Sequence, residues 1–205
     1  QPLVRRSYSE PRETWQTNVI GTINLLEAVK QLKHECSVVI VTTDKVYENI
    51  NANHAYSEDD RLGGHDPYSS SKAATELAVD SWRSSFFADN SNIKIASVRA
   101  GNVIGGGDWS EDRIIPDLVR ALSENKDIVV RNPASIRPWQ HVLDPLSGYL
   151  LLAEKLYSSN SVELQGAFNF GPDGEGVRTV QELVDQAFKT WPGKLNNQDH
   201  RDQLH

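Results

Sequence analysis

The chain has no methionine, a single cysteine and no apolar run long enough to cross a bilayer. Each absence narrows the problem. One cysteine, Cys36, cannot form a disulfide within the chain, which excludes the stapled secreted class and makes Cys36 read as a small buried residue in a reducing, cytoplasmic setting. Without about 18 consecutive apolar residues there is no membrane-span signal, and no leader pattern opens the chain. Basic blocks are missing as well. The net charge is −7, which argues against nucleic acid or an anionic membrane as the main partner. His141 has no His, Cys or Asp at ligand spacing, so no metal site is expected. The missing methionine, with a start at Gln1, leads to the expectation that this is a piece of a longer protein.

What remains is an ordinary globular composition with helix and strand signals in alternation. Residues 13–33 carry apolar side chains at helical spacing. Residues 37–43 read as a strand, 46–65 as a long polar loop, and Asp66-Pro67 as an N-cap and first helical residue for a helix to about Phe87. A strand is expected at 93–98, a helix at 114–122, a short strand at 128–130, a helix at 143–157, a strand at 167–170 and a helix at 177–191. The tail from Pro192 is polar and uncommitted. The strands at 37–43 and 93–98 are nearly continuous apolar runs, the mark of a parallel sheet covered by helices on both faces. The expected class is therefore α/β with a doubly wound parallel sheet, in which ligands bind outside the carboxyl ends of the strands.

That rule directs attention to VIVTTDKVYEN at 39–49, where an apolar strand runs into Thr42, Thr43, Asp44 and Lys45. Arg99 to Asn102 follow the second strand and fall on the same edge. Downstream, Tyr68 and Lys72 stand four apart at the start of a helix and so share one face. A nearby ammonium favours the phenolate, as does the positive end of the helix dipole, and such a tyrosine can act as a general base. The plainer alternatives are a solvated strand-end ion pair for Asp44 and Lys45, worth roughly 0–1 kcal/mol, and an exposed aromatic beside a solvated lysine for Tyr68 and Lys72.

Together Thr43, Tyr68 and Lys72 resemble the Ser/Thr–Tyr–Lys triad of the extended short-chain dehydrogenase/reductases, and TNVIGTINLLEA at 17–28 resembles their Asn-containing helix. TTDKVYEN, YSSSK, RAGNVIGGGDW, IRPWQHV and FNFGP narrow the resemblance to the sugar-nucleotide 4,6-dehydratases, most of all the branch acting on CDP-glucose, over residues 1 to about 172. The resemblance implies a Rossmann-like fold whose first strands and Gly-rich fingerprint are missing, with residues 1–105 as the remainder of an NAD-binding domain and 106–205 as a mixed region completing the sheet and contributing to a sugar-nucleotide domain. The glycines of GPDGEG at 171–176 do not supply the fingerprint, because a GxGxxG reading from Gly174 fails at Thr179. Alone, these 205 residues are therefore expected to bind NAD poorly and to be inactive.

The resemblance also implies roles. Tyr68 would take the C4 hydroxyl proton, Thr43 would hydrogen-bond the C4 oxygen, and Lys72 would hold the nicotinamide ribose. Asp44 would be the acid at the C6 hydroxyl and Lys45 the base at C5. Those roles demand a protonated Asp44 and a neutral Lys45, hence desolvation and coupled titration. NAD would further touch Thr17, Asn18, Thr42 and Val103. The nucleotide sugar would meet Asn102, Arg113, Arg131, Arg137 and Asn169. For each arginine a surface ion pair remains the plain alternative; for Asn102 it is a turn, and for Asn169 a strand-end cap. Helices 13–33 and 68–87 would pair in a homodimer or higher homo-oligomer. Rival readings are a UDP- or dTDP-sugar dehydratase, since Asp44-Lys45 alone does not fix the nucleotide; a sugar-nucleotide epimerase or decarboxylase, against which Asp44-Lys45 speaks; and a non-catalytic NAD-binding or dimerisation module, against which Tyr68 and Lys72 speak.

Overall fold

A computed structural model describes residues 1–50, 54–88, 92–159 and 162–197. In chain order the elements are α1 (Val4–Ser9), α2 (Pro11–Trp15), a π-helical turn (Gln16–Ile20), α3 (Gly21–Val29), β1 (Cys36–Val41), a 3-10 turn (Asp44–Val46), α4 (Pro67–Trp82), β2 (Ile93–Ala100), β3 (Asn102–Ile104), α5 (Ile114–Ser123), β4 (Ile128–Val130), β5 (Ile136–His141), α6 (Leu143–Ser158), β6 (Ala167–Phe170), β7 (Val177–Thr179), α7 (Val180–Phe188) and β8 (Leu195–Asn197). No helix among the described residues is long and apolar enough to cross a membrane.

The chain divides into two units. The first joins residues 1–101 to Leu143–Phe170. Its sheet has the order β1-β2-β6, and both pairings are parallel, with Cys36 opposite Ile93 and Ser97 opposite Ala167. Alternation along the strands sends Ile40, Ile93 and Ile95 to one face, where Leu26 and Val29 of α3 and Val79 of α4 cover them. It sends Val39, Ala96 and Val98 to the other, under Leu152 and Leu156 of α6. Burial on both faces explains why β1 and β2 read as unbroken apolar runs. Each fully buried side chain such as Leu26, Ile95 or Leu156 contributes about 1.5–3 kcal/mol.

The second unit is Asn102–Val142 with the chain from Gly171 onward. It holds a three-stranded sheet, β3-β5-β7, and the parallel pair β4-β8. Its core is Leu118, Leu122, Ile128, Val130 and Val184. The expected division at residue 105 thus falls at Gly101, and α6 and β6 return to the first unit. The reason is packing: Leu152, Leu156 and Phe168 bury the second face of β2.

Other expectations need smaller corrections. The helix expected at 13–33 begins at Pro11 and is broken by the π turn. The one expected at 177–191 begins at Val180, because Val177–Thr179 pairs antiparallel with β5. Thr179 instead caps α7 in a capping box with Glu182. The expected loop at 46–65 is closed at its base by Gly63 N donating to Val46 O at 2.7 Å and Glu48 N to Arg61 O at 2.9 Å; its residues 51–53, like the tail beyond 197, lie outside the described residues.

Candidate active site

Asp66 fixes the start of α4. Its Oδ1 accepts from the amides of Tyr68 (2.9 Å) and Ser69 (3.0 Å), with Pro67 in the first turn. The Tyr68 amide also donates to buried Ser7 at 3.1 Å, tying α1 to this helix start. Gly64, at φ +106°, lies so close to the first turn that an added Cβ would stand 2.5 Å from Ser69 C. Tyr68 is buried, and Lys72 lies one turn on along the same face. The Lys72 ammonium donates to Val41 O, the last residue of β1, at 3.1 Å. Burial lowers the Lys72 ammonium below its ordinary range, and the charge of Glu76 opposes that shift.

Thr43 is buried and caps the 3-10 turn. Its Oγ1 donates to Asp44 Oδ1 at 3.1 Å. The Lys45 ammonium donates to the same oxygen at 3.2 Å, with the Lys45 and Asp44 side chains 38% and 34% exposed. In this state the two form a half-exposed ion pair, not the desolvated neutral pair the sequence reading demands.

The side chains of Thr42 and Asn169 are hydrogen-bonded within the fold. The Thr42 hydroxyl donates to Glu76 and to Val98 O. Asn169 Oδ1 accepts from the Tyr47 hydroxyl at 2.6 Å, and its Nδ2 donates to Tyr56 O at 3.0 Å. Asn18 is also committed internally. Its Nδ2 donates to Ser71 of α4 at 2.9 Å, and its carbonyl, within the π turn, accepts from Thr75 at 3.0 Å. It struts α4 against the preceding helix, while its neighbour Thr17 is exposed.

Glu76 and Arg99, absent from the sequence reading as a site, form a pair at 2.9 Å with side chains only 3% and 5% exposed. Ser97 donates to Glu76 at 2.7 Å, and Arg99 donates to the Tyr47 hydroxyl at 2.8 Å and to Glu58 O at 3.2 Å. Burial opposes charge on Arg99, but the hydrogen bond and charge of Glu76 win and raise it. Burial likewise raises the Tyr47 phenol, against the pull of Arg99, so Tyr47 stays neutral and donates to Asn169. Arg99 therefore belongs to the core of β2 and not to its ligand-facing edge. The available signals were a lone arginine inside IKIASVRA and a glutamate on the same helix face as Tyr68 and Lys72.

The second unit carries the remaining candidates. Asn102 in β3 is opposite Trp139 in β5, and its Oδ1 is buried without a hydrogen-bond partner. Val103 follows it in β3, opposite Gln140. Arg113 lies 3.5 Å from Asp108, and Arg131 donates to Asp112 at 2.9 Å, so both sit in ion pairs. Arg137 is opposite Arg178 across β5 and β7. No group of three or more His, Cys, Asp or Glu among the described residues could hold a metal ion.

A parallel sheet between helix layers, with a Thr–Tyr–Lys set at the carboxyl end of its strands, defines an α/β protein of the Rossmann-like, extended short-chain dehydrogenase/reductase class. The model of the NAD dependent epimerase/dehydratase family matches residues 1–171, and the chain belongs to that family. CDP-glucose 4,6-dehydratase of Salmonella typhimurium is 46% identical over all of this chain and 59% of its own length. Among solved structures, dTDP-glucose 4,6-dehydratase of Bacillus anthracis in complex with NAD is 26% identical, with a TM-score of 0.74 over 89% of this chain and 55% of that one. Its counterpart from Streptomyces venezuelae, with NAD bound, shares the fold at a TM-score of 0.81 and 22% identity, over 100% of this chain and 60% of that one. The chain thus spans about three fifths of the length of the relatives it matches.

Proposed function

We propose that this chain is part of an NAD-dependent lyase that dehydrates a nucleotide-diphospho-hexose at C4–C6, with CDP-glucose as its substrate. The observation that carries the reading is the Asp44–Lys45 pair, hydrogen-bonded at 3.2 Å beside the buried Thr43. An epimerase needs proton transfer only at C4. A dehydratase also needs an acid and a base for elimination, and an adjacent Asp and Lys meet that need.

Lys72 fits a cofactor ribose: its ammonium carries three donors, of which Val41 O takes one, and it is held at the carboxyl end of β1. Bound NAD supplies the oxidising equivalent at C4 and returns it as a reducing equivalent at C6. Tyr68 takes the C4 hydroxyl proton, while Thr43 hydrogen-bonds that oxygen. The 4-ketone then acidifies the C5 hydrogen. Lys45 removes that proton, Asp44 donates its own to the departing C6 hydroxyl, and water leaves. The Lys45–Asp44 hydrogen bond is also the path that prepares these states. A single proton shift from Nζ to Oδ1 turns the ion pair into a neutral amine and a neutral acid. A bound substrate that strips water from the pair disfavours both charges and so favours the neutral form.

Asn102, with its orphaned buried Oδ1, is proposed as a substrate contact needing a hydroxyl donor. Arg137 is proposed at the diphosphate and Val103 at the nicotinamide, on motif resemblance. Arg113 and Arg131 would first have to leave their aspartates. The intact protein should turn over CDP-glucose with a higher kcat/KM than UDP- or dTDP-glucose, with loss of water read by mass spectrometry. Equal turnover of all three contradicts the CDP assignment, and a C4 epimer of unchanged mass contradicts the dehydratase.

A homodimer is proposed through the helical stretch at 11–29 and through α4 with the π-helical turn that follows it (Arg83–Phe87), which leave Trp15, Ile20, Leu25, Leu77 and Phe86 at least 42% exposed. Sedimentation of the intact protein should give a dimer or larger; monomer alone at micromolar concentration contradicts it. Free, half-buried Cys36 accords with a reducing cytoplasm.

A further inference from the structure

The Thr43–Asp44–Lys45 segment is strung between two anchors that meet at one buried ion pair. On its N-terminal side, the Thr42 hydroxyl donates to Glu76 of α4. On its C-terminal side, the Tyr47 hydroxyl accepts from Arg99 of β2 at 2.8 Å, and the Arg99 guanidinium lies 5.1 Å from the Tyr47 ring. Glu76 and Arg99 close the circuit at 2.9 Å, with Ser97 filling the remaining carboxylate site. Tyr47 then passes the connection to Asn169 at 2.6 Å, and Glu58 Oε1 takes the Asn169 amide at 2.7 Å.

We infer that the Glu76–Arg99 pair is a positioning device for the acid–base segment, acting through Thr42 and Tyr47 and held on the same helix that carries Tyr68 and Lys72. The assignment of a chemical step to that segment rests on the dehydratase reading above. The geometry explains two otherwise costly features. A buried ion pair is a weak source of net stability, because desolvating both charges offsets their attraction. Here the pair has a second use: its two side chains together bind both ends of the six-residue arc from Thr42 to Tyr47. Glu76 is also two turns from Tyr68 and one from Lys72, on the face they share. A single rigid helix thus sets the C4 base and, through the ion pair, the elimination residues. Thr42, Tyr47, Glu76 and Arg99 touch no reacting atom in this scheme; they are positioning residues.

Two variants isolate the two anchors while sparing the ion pair. Tyr47→Phe removes one hydroxyl but keeps the ring stacked on Tyr56 at 5.0 Å, and Arg99 retains Glu58 O. Thr42→Val is nearly isosteric, and Glu76 retains Ser97 and Arg99. In single turnover of the intact protein, the near-ultraviolet absorbance of reduced cofactor reports C4 oxidation and mass spectrometry reports water loss. Tyr47→Phe should oxidise at the wild-type rate within a few-fold and eliminate up to about 100-fold more slowly, the scale of a ~1 Å misplacement; Thr42→Val should slow elimination relative to its own oxidation step. Hydrogen exchange read without substrate should be faster in the peptide covering residues 43–47 and unchanged in α4. A merely structural role would slow both steps by one common factor and loosen α4 as well; that result, or unchanged exchange at 43–47, overturns the inference. If the wild-type protein itself oxidises no nucleotide sugar, the dehydratase reading fails, while the exchange measurement still decides the positioning role.

Discussion

Lys45→Ala in the intact protein should abolish elimination while leaving oxidation at C4 intact. The expected loss in the rate of water release is roughly 10²–10⁴-fold, the range that a positioned general base supplies. C4 oxidation should change by less than a few-fold, because Tyr68, Lys72 and Thr43 do not depend on the Lys45 side chain for any hydrogen bond described above. The variant should therefore accumulate reduced cofactor and a 4-keto sugar that keeps its C6 hydroxyl. Asp44→Asn should stall at the same point: the amide still accepts from Lys45 but has no proton to give the leaving hydroxyl. The hydrogen bond at 3.2 Å joins the two groups that the elimination step uses, Lys45 Nζ and Asp44 Oδ1. Lys45→Ala dehydrating at the normal rate would show that the base lies elsewhere.

Arg99→Met should cost about 3–5 kcal/mol, because it strands the Glu76 carboxylate at 3% side-chain exposure without its counter-charge. For a protein of this size or somewhat larger, that corresponds to a fall in Tm of about 6–20 °C. Glu76→Gln should also destabilise, since a neutral amide leaves the buried Arg99 guanidinium without its counter-charge. Replacing both residues, Glu76→Met with Arg99→Met, should recover much of the lost stability because no charge is left buried. It should not recover elimination, because Thr42 and Tyr47 would both lose their anchors. Thermal unfolding of the three variants checks this order. A single variant melting with the wild type would mean that water reaches the pair and that its burial does not control the local charge balance.

How much of this could be read from the chain depends on range. β1, β2, α4 and α6 were legible because their apolar residues are periodic and their ends carry local signals such as Asp66-Pro67. β3, β5 and β7 were not. β3 and β7 have three residues each, and β5 reads IRPWQH, with little apolar alternation; tertiary pairing makes it a strand. The division between units differs from the expected one because α6 and β6 pack back on β2 across the 41 residues Asn102–Val142, which no local pattern links to it. At the site, Thr43, Tyr68 and Lys72 were legible as a set through their motif and spacing. The resemblance gave Thr42, Asn18 and Asn169 ligand roles; what no local pattern showed is that their side chains also bond to Glu76, Ser71 and Tyr47. Glu76 and Arg99 were missed for the same reason. Each looks solvent-facing in isolation, and only the fold brings a helix glutamate to a strand arginine 23 residues away.

The central claim is that one site oxidises C4, eliminates across C5 and C6, and returns the same hydrogen at C6. CDP-glucose carrying deuterium at C4, incubated with the intact protein, tests it most directly. The account predicts a product that has lost water and carries the deuterium at C6. Deuterium released to solvent, or retained at C4 of a sugar that keeps all its oxygens, would contradict it.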